Sequence, residues 1–293
     1  MHAISSPEVF EIEGADGGPL RVDVYAPGGT GAPECRHSPI VLVHGFRGYK
    51  NWGFIPFLAQ RLAREGFVAV AYSASGSGIA DSSGAFSEPE RFRHNTYGRE
   101  LNDLDRVVAW ALERTAAAGV PDRRVGLIGH SRGGGIAFLH AAGDPHVGCV
   151  VTLGTMSRMG LWEPQRIAAW ERGEEASVYD FRTRSHLPMS PDLWEDFRRN
   201  RERNRERYDL AHAIESLRVP LLVVHGDEDR VVPLDHAREI LSHRAAATAE
   251  LRVIAGAGHT FQAGDRIRRT PPQLLEMVEA ATAWMRRWLP WKD

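Results

Sequence analysis

The sequence predicts an α/β protein: a mostly parallel sheet of eight strands with helices on both faces. Three observations carry this. Continuous apolar runs alternate with amphipathic segments of helical period. A polar-alternating hairpin precedes them, and small-residue loops follow several of the runs. A strand covered on both faces has no polar side and so reads as an unbroken apolar run. Runs of that kind alternating with helices imply crossover connections in one open sheet.

The elements follow in order. Residues 9–13 and 20–25 alternate apolar and polar around Gly14-Ala15-Asp16-Gly17-Gly18-Pro19, the pattern of a half-exposed hairpin. The stretch 27–39 is a Gly/Pro-rich loop. Covered strands are expected at 40–43, 67–72, 125–128, 147–153, 220–224 and 250–254. Helices are expected at 51–65, 96–118, 132–142, 234–247 and 272–289. In 96–118, Leu101, Leu104, Val107, Val108 and Ala111 recur every three or four residues and define the buried stripe. Leu274, Val278, Ala281, Met285 and Trp288 do the same in the last helix. Residues 155–213 contain no strand-like apolar run and are read as a helical insertion within a single domain spanning 1–293.

The chain has 293 residues with 36 Lys plus Arg against 38 Asp plus Glu, a formal charge of −2. That balance disfavours a general nucleic-acid binder, which carries a basic excess. An apolar content of 43% disfavours disorder. Only Lys50 and Lys292 are lysines, so 34 of the 36 basic residues are arginine, a skew ascribed to coding bias. Cys149 lies inside an apolar run and reads as a small buried hydrophobe, while Cys35 falls in the Gly/Pro-rich loop. Two distant cysteines make neither a disulfide framework nor a metal cluster. No signal peptide and no apolar stretch of about 18 residues is visible. A soluble, cytoplasmic protein without membrane insertion is expected.

Gly129-His130-Ser131-Arg132-Gly133 joins a buried strand to a helix. A sharp strand-to-helix turn brings strand and helix too close for side chains at the flanking positions, so glycines are required there. Ser131 then stands above the carboxyl ends of the strands, where open α/β sheets place their sites. A serine hydroxyl needs a base. His259 follows the last strand in Ala255-Gly256-Ala257-Gly258-His259-Thr260-Phe261. The histidine needs an acid to fix its tautomer and stabilise the imidazolium. Gly226-Asp227-Glu228-Asp229 follows the preceding strand; Asp229, beyond the turn, is favoured over Asp227, which suits a turn or helix cap. Acyl transfer also builds an oxyanion that two backbone N–H groups should meet. Arg132, at the helix start, is expected to supply one. Phe46, in His44-Gly45-Phe46-Arg47-Gly48 after the strand 40–43, is expected to supply the other. His44, His130 and His225 are assigned to loop packing.

At these residues the sequence resembles the α/β-hydrolase superfamily over most of its length. Within it, the chain is similar to the bacterial branch that mixes dienelactone-hydrolase-like, cinnamoyl-esterase-like and prolyl-oligopeptidase-like catalytic domains. The order Ser131, Asp229, His259 matches that fold, and residues 72–86, ending in Ser82-Ser83-Gly84 and Phe86, resemble the small-residue loop after its fourth strand. Serine at the nucleophile position disfavours a dienelactone hydrolase proper, which uses cysteine, and a haloalkane dehalogenase, which uses aspartate. No propeller domain precedes the core, which weakens an oligopeptidase reading.

The resemblance implies an α/β-hydrolase fold and an esterase working through an acyl-enzyme, with no cofactor and no metal. Its substrate is expected to be a small-molecule ester of small or medium acyl length, with aromatic acyl groups left open. It also implies that the insertion 155–213 lids the site. Trp162, Trp170, Tyr179, Phe181, Trp194 and Phe261 are candidates for the pocket wall, weighed against packing within the lid. The run Arg198–Arg207 is read as an exposed helix face with partial intrahelical pairing. Two other readings stay open: an acyl-aminoacyl hydrolase or peptidase, and a ligand-binding receptor that kept the fold.

Overall fold

Eight strands assemble into one sheet in the order β1-β2-β4-β3-β5-β6-β9-β10. The computed structural model describes residues 6–14, 16–27, 38–117, 124–244, 248–264, 267 and 269–289. The strands are β1 (Glu8–Glu13), β2 (Pro19–Tyr25), β3 (Pro39–Val43), β4 (Val68–Ser73), β5 (Val125–His130), β6 (Val147–Leu153), β9 (Leu221–Gly226) and β10 (Ala249–Ile254). The pairs β1–β2 and β2–β4 are antiparallel and all the others parallel, so β2 alone runs against the rest. This is the mostly parallel, helix-flanked architecture that the alternation of runs predicts. Residues 28–37 of the Gly/Pro-rich loop, Cys35 among them, lie outside the described residues.

Every residue of β3, β4, β5, β6 and β9 is buried, because helices cover both faces. Successive strand residues point to opposite sides. Ile40 and Leu42 enter the core with α1 (Ile55–Arg64) and α10 (Pro272–Trp288). Val41 and Val43 enter the core with α3 (Tyr97–Ala117), which follows the short α2 (Pro89–Arg93), and with α4 (Arg132–Gly143). Each such side chain removed from water contributes about 1.5–3 kcal/mol. The predicted stripe of α3, from Leu101 to Ala111, is buried as expected.

Two boundaries and one burial pattern differ from the sequence reading. Helix α1 starts at Ile55 rather than 51, with a proline in its first turn, because Gly53 at φ +54° turns the chain just before it. Helix α9 (Asp235–Ser242) ends before 247, and residues 245–247 lie outside the described residues. Strand β10 is an edge strand, and its outer residues are exposed rather than covered on both faces.

The insertion is not wholly helical. It holds α5 (Pro164–Glu171), an antiparallel hairpin of β7 (Ala176–Asp180) and β8 (Ser185–Met189), then α6 (Asp192–Arg203), α7 (Arg205–Tyr208) and α8 (Leu210–Ser216). A ribbon with one covered face needs no apolar run: Leu187 and Met189 are buried, while Ser185 and His186 are exposed. Asp180 closes its turn, accepting the N–H groups of Arg182 and Thr183, each at 2.9 Å. In the arginine run, Arg207 pairs with Asp105 on α3 at 2.5 Å and Arg205 with Asp209 at 2.9 Å. Arg207 thus fastens the run to α3, while Arg205–Asp209 is an i,i+4 pair at the end of α7, matching the partial pairing expected.

Candidate active site

The strand β5 ends at His130, α4 begins at Arg132, and Ser131 makes the whole turn between them at φ 54°, ψ −123°. That is left-handed backbone for a residue with a Cβ, and it costs of the order of 1–3 kcal/mol. The turn is held from both ends: Ser131 N–H donates to Leu153 O at 2.9 Å and Gly134 N–H to Ser131 O at 3.0 Å. The glycines are required by contact. A Cβ on Gly129 would lie 2.4 Å from Gly134 Cα, and one on Gly133 would lie 2.3 Å from Val43 O.

His259 sits in the turn after β10, and its Nδ1 meets Asp229 Oδ2 at 2.8 Å. Asp229 is 6% exposed, and its other oxygen accepts the N–H groups of Val231 (2.9 Å) and Val232 (2.8 Å). Burial alone would raise the Asp229 pKa. The His259 hydrogen bond, the His259 charge and the two backbone donors outweigh it and hold the carboxyl below its usual range. Asp227 instead accepts the Gly256 N–H at 2.7 Å and ties the two loops together. Gly154, at φ +55°, leaves the room this pair occupies: a Cβ there would lie 3.2 Å from Asp229 Oδ2 and 3.3 Å from His259 Nδ1. The sequence reading did not single out Gly154; its signal was a glycine directly after β6.

The three buried histidines read as packing groups have defined partners. His130 Nε2 donates to His259 O at 3.0 Å, which docks the His259 loop on the Ser131 turn. His225, behind Asp229, donates to Val232 O at 2.8 Å. His44 Nε2 accepts the Ala74 N–H at 3.0 Å, and its Nδ1 lies 2.8 Å from Gly45 O. Among the described residues no hydrogen bond joins Ser131 Oγ to His259. Apo sites often show this contact loose, tightening only around substrate.

Burial, and next the charge on His259, push the His130 pKa down to about 3. Between about pH 6.5 and that value the unfolded chain takes up a proton that the folded chain refuses. Stability therefore falls with falling pH across this window, by up to about 1.4 kcal/mol per pH unit. His140 works oppositely: burial lowers its pKa, but hydrogen bonds to Asp105 and Asp144 outweigh that and raise it. Its contribution is present in acid and is lost as pH rises through the raised value. The comparison with His130→Gln isolates the first effect. In urea unfolding from pH 6.5 to 4.5 the variant should lose stability less steeply than wild type, and parallel slopes would refute the assignment.

Phe46 and Arg132 lie side by side. Arg132 opens α4, where the first N–H groups of a helix have no partner within the helix. Phe46 lies in the Gly45–Gly48 turn, closed by Gly48 N–H to Gly45 O at 2.9 Å. The far end of this loop is anchored by one of the chain's two lysines: Lys50 Nζ meets Asp23 Oδ1 at 2.5 Å in a buried pair.

The aromatic candidates divide. Trp162 stands edge-on to the Phe46 ring at 5.4 Å and donates through Nε1 to Tyr97 OH at 3.0 Å. Trp194 is half-buried and stacks on Trp170 at 6.5 Å. Trp170 is 2% exposed, with its Nε1 on Met189 O, and so packs the interior of the insertion. Phe261 is fully buried against Phe54 on the α1/α10 side of the sheet, not at a pocket wall. Its backbone, in the turn after His259, stands at φ +51°. Phe181 is 82% exposed at the hairpin turn, edge-on to Tyr179 at 4.9 Å.

A second serine–histidine–carboxylate group lies nearby. Ser157 Oγ is 2.7 Å from both His236 Nδ1 and Glu239 Oε2. Ser157 is 1% exposed and also donates its N–H to His236 Nδ1, so this group latches the chain after β6 onto α9. Among the described residues no cluster of three or more His, Cys, Asp or Glu is arranged to hold a metal, and no helix is long and apolar enough to cross a membrane.

A strained residue between a central strand and its helix, at the carboxyl ends of a mostly parallel sheet, is the signature of one class of proteins. A family profile described as the Alpha/beta hydrolase family matches residues 40–270, and the chain belongs to that family. Esterase LipC of Mycobacterium tuberculosis is 23% identical over 262 residues, covering 86% of this chain and 56% of that protein. An uncharacterised 31.7 kDa protein from the traX-finO intergenic region of Escherichia coli is 30% identical over 117 residues, 40% of this chain and 37% of its own length. The chain thus aligns with less than two thirds of these curated relatives. Est1E of Butyrivibrio proteoclasticus, solved with ferulic acid bound, superposes with a TM-score of 0.71 at 19% identity, covering 95% of this chain and 98% of that one. At that identity the likeness is one of fold.

Proposed function

We propose that this hydrolase is a serine esterase that cleaves carboxylic esters of small or medium acyl groups, aromatic ones included, through an acyl-enzyme. The observation that carries the reading is the Asp229–His259 pair at 2.8 Å, docked through His130 against a turn that strains Ser131. The esterase name of one relative and the ferulic acid bound in a structural neighbour support it from outside the chain.

In this reading Ser131 Oγ attacks the ester carbonyl carbon and His259 Nε2 takes its proton. The carbonyl oxygen becomes an oxyanion, met by the N–H groups of Phe46 and Arg132. Each such donor is worth about 2.7–4 kcal/mol in the transition state. His259 then protonates the departing alcohol. Water repeats the cycle on the acyl-serine and releases the acid. Asp229 holds Nδ1 protonated, so Nε2 is the free base. The insertion 155–213 serves as the lid, with Trp162 as the aromatic wall nearest the oxyanion donors.

A panel of p-nitrophenyl esters from acetate to decanoate, methyl cinnamates and matched anilides tests this. Ester turnover should exceed anilide turnover for every matched acyl group. Faster anilide cleavage would favour a peptidase, and saturable binding without turnover on the whole panel would favour a receptor.

A further inference from the structure

We propose that the Arg132 side chain, held by Glu100, is a positioning device that locks the two oxyanion donors into one rigid unit. This rests on the esterase reading above. The guanidinium is buried, 4% exposed. Its Nη1 donates to Glu100 Oε1 at 3.2 Å, and Glu100 Oε1 also accepts from Asn95 Nδ2 at 2.6 Å. Its Cζ lies 4.1 Å from the centroid of the Phe46 ring, 5.0 Å from that of Tyr97 and 5.3 Å from that of Trp162. The Phe46 ring is gripped further by Phe92, stacked at 5.6 Å, and by Trp162.

The residue that offers one N–H thus uses its side chain to clamp the residue that offers the other. The two donors come from different parts of the chain, the turn after β3 and the start of α4. The β3–β5 pairing ends at Val43 and Gly129, three residues before each donor, and the cation over the ring adds a side-chain tie beyond it. Oxyanion stabilisation depends on donors set in advance at the right spacing, so a clamp of this kind acts on the transition state.

Stability does not demand this arrangement. A buried ion pair is often replaceable by apolar side chains without loss. A planar guanidinium can hydrogen-bond Glu100 in its plane while presenting a face to Phe46, which an ammonium cannot do. The same contacts enclose the cation between a carboxylate and three rings, so it is not a receptor for acidic substrates.

The test compares Arg132→Lys, Glu100→Gln, Phe46→Leu and the Arg132→Lys/Phe46→Leu double variant, all of which keep both backbone N–H groups. Turnover of p-nitrophenyl butyrate is normalised to sites labelled by a fluorophosphonate. Inhibition by a trifluoromethyl ketone, which forms an oxyanion adduct on a nucleophilic serine, is measured in parallel. Arg132→Lys and Glu100→Gln should lower kcat about 10- to 100-fold with KM within about twofold. Ketone affinity should weaken by the same factor. The double variant should be no worse than its more damaged parent, because both changes break one contact. Glu100→Gln is close to isosteric and carries the test if Arg132→Lys does not fold. Unchanged kcat and ketone affinity, with only a lower melting temperature, would overturn the proposal. So would a rise in KM confined to carboxylated esters. Wild-type protein that is not labelled at Ser131 would instead overturn the esterase reading and this inference with it.

Discussion

Ser131→Ala should reduce kcat/KM for a reactive ester by about 10⁴- to 10⁶-fold, the loss expected when the nucleophile of a coupled serine–histidine unit is removed. The residual rate should be that of a site that still binds substrate and still offers oxyanion donors. The backbone makes a second, independent forecast. Ser131 is held at φ 54° by bonds to Leu153 and within the start of α4, so the strain belongs to the position and not to the hydroxyl. Alanine keeps a Cβ and keeps the strain. Glycine removes it, and Ser131→Gly should raise the unfolding free energy by about 1 kcal/mol even after the entropy glycine adds to the unfolded chain. Both variants lose activity and only one gains stability. Equal melting temperatures for the two would contradict the strained-turn account.

Asp229→Asn should lower kcat by about 10³- to 10⁴-fold with little change in KM. The direction follows from the hydrogen bonds. Oδ1 accepts two backbone N–H groups, from Val231 and Val232, so an asparagine there keeps its carbonyl oxygen on that side. Its NH₂ must then face His259 Nδ1, where Asp229 now offers Oδ2 at 2.8 Å. Two donors cannot share that contact. The imidazole must move its proton to Nε2, and a protonated Nε2 cannot take the serine proton. Asp227→Asn is the control, since Asp227 only receives the Gly256 N–H; it should stay within a few-fold of wild type. Steady-state kinetics on one ester decides both, and a larger loss in the Asp227 variant would reverse the two roles.

Much of the fold was legible because it is written in local pattern. Buried runs marked the five covered strands β3, β4, β5, β6 and β9, and the stripe from Leu101 to Ala111 marked the buried face of α3. The turn at Ser131 was legible because close contact of strand and helix admits only glycine at Gly129 and Gly133. The β7–β8 hairpin was not, since a ribbon covered on one face shows isolated apolar residues such as Leu187 and Met189 and no apolar run. The aromatics of the insertion were legible as a group but not singly. Trp162 faces Phe46, Trp170 is sealed inside and Phe181 faces outward, and that sorting is set by tertiary packing. Arg132 shows the same limit. Its proposed backbone role follows from position, while the contact of its side chain with Phe46 joins residues 86 apart in sequence, and only the folded chain reveals it.

The central claim is that Ser131 is the nucleophile. Peptide mapping by mass spectrometry after treatment of the wild-type protein with a fluorophosphonate tests it most directly. The account predicts a single adduct, on the peptide that carries Ser131, absent from Ser131→Ala and slowed in Asp229→Asn. An adduct on another serine, with Ser157 beside His236 the nearest rival, or full ester turnover in a protein that takes up no adduct, would contradict it.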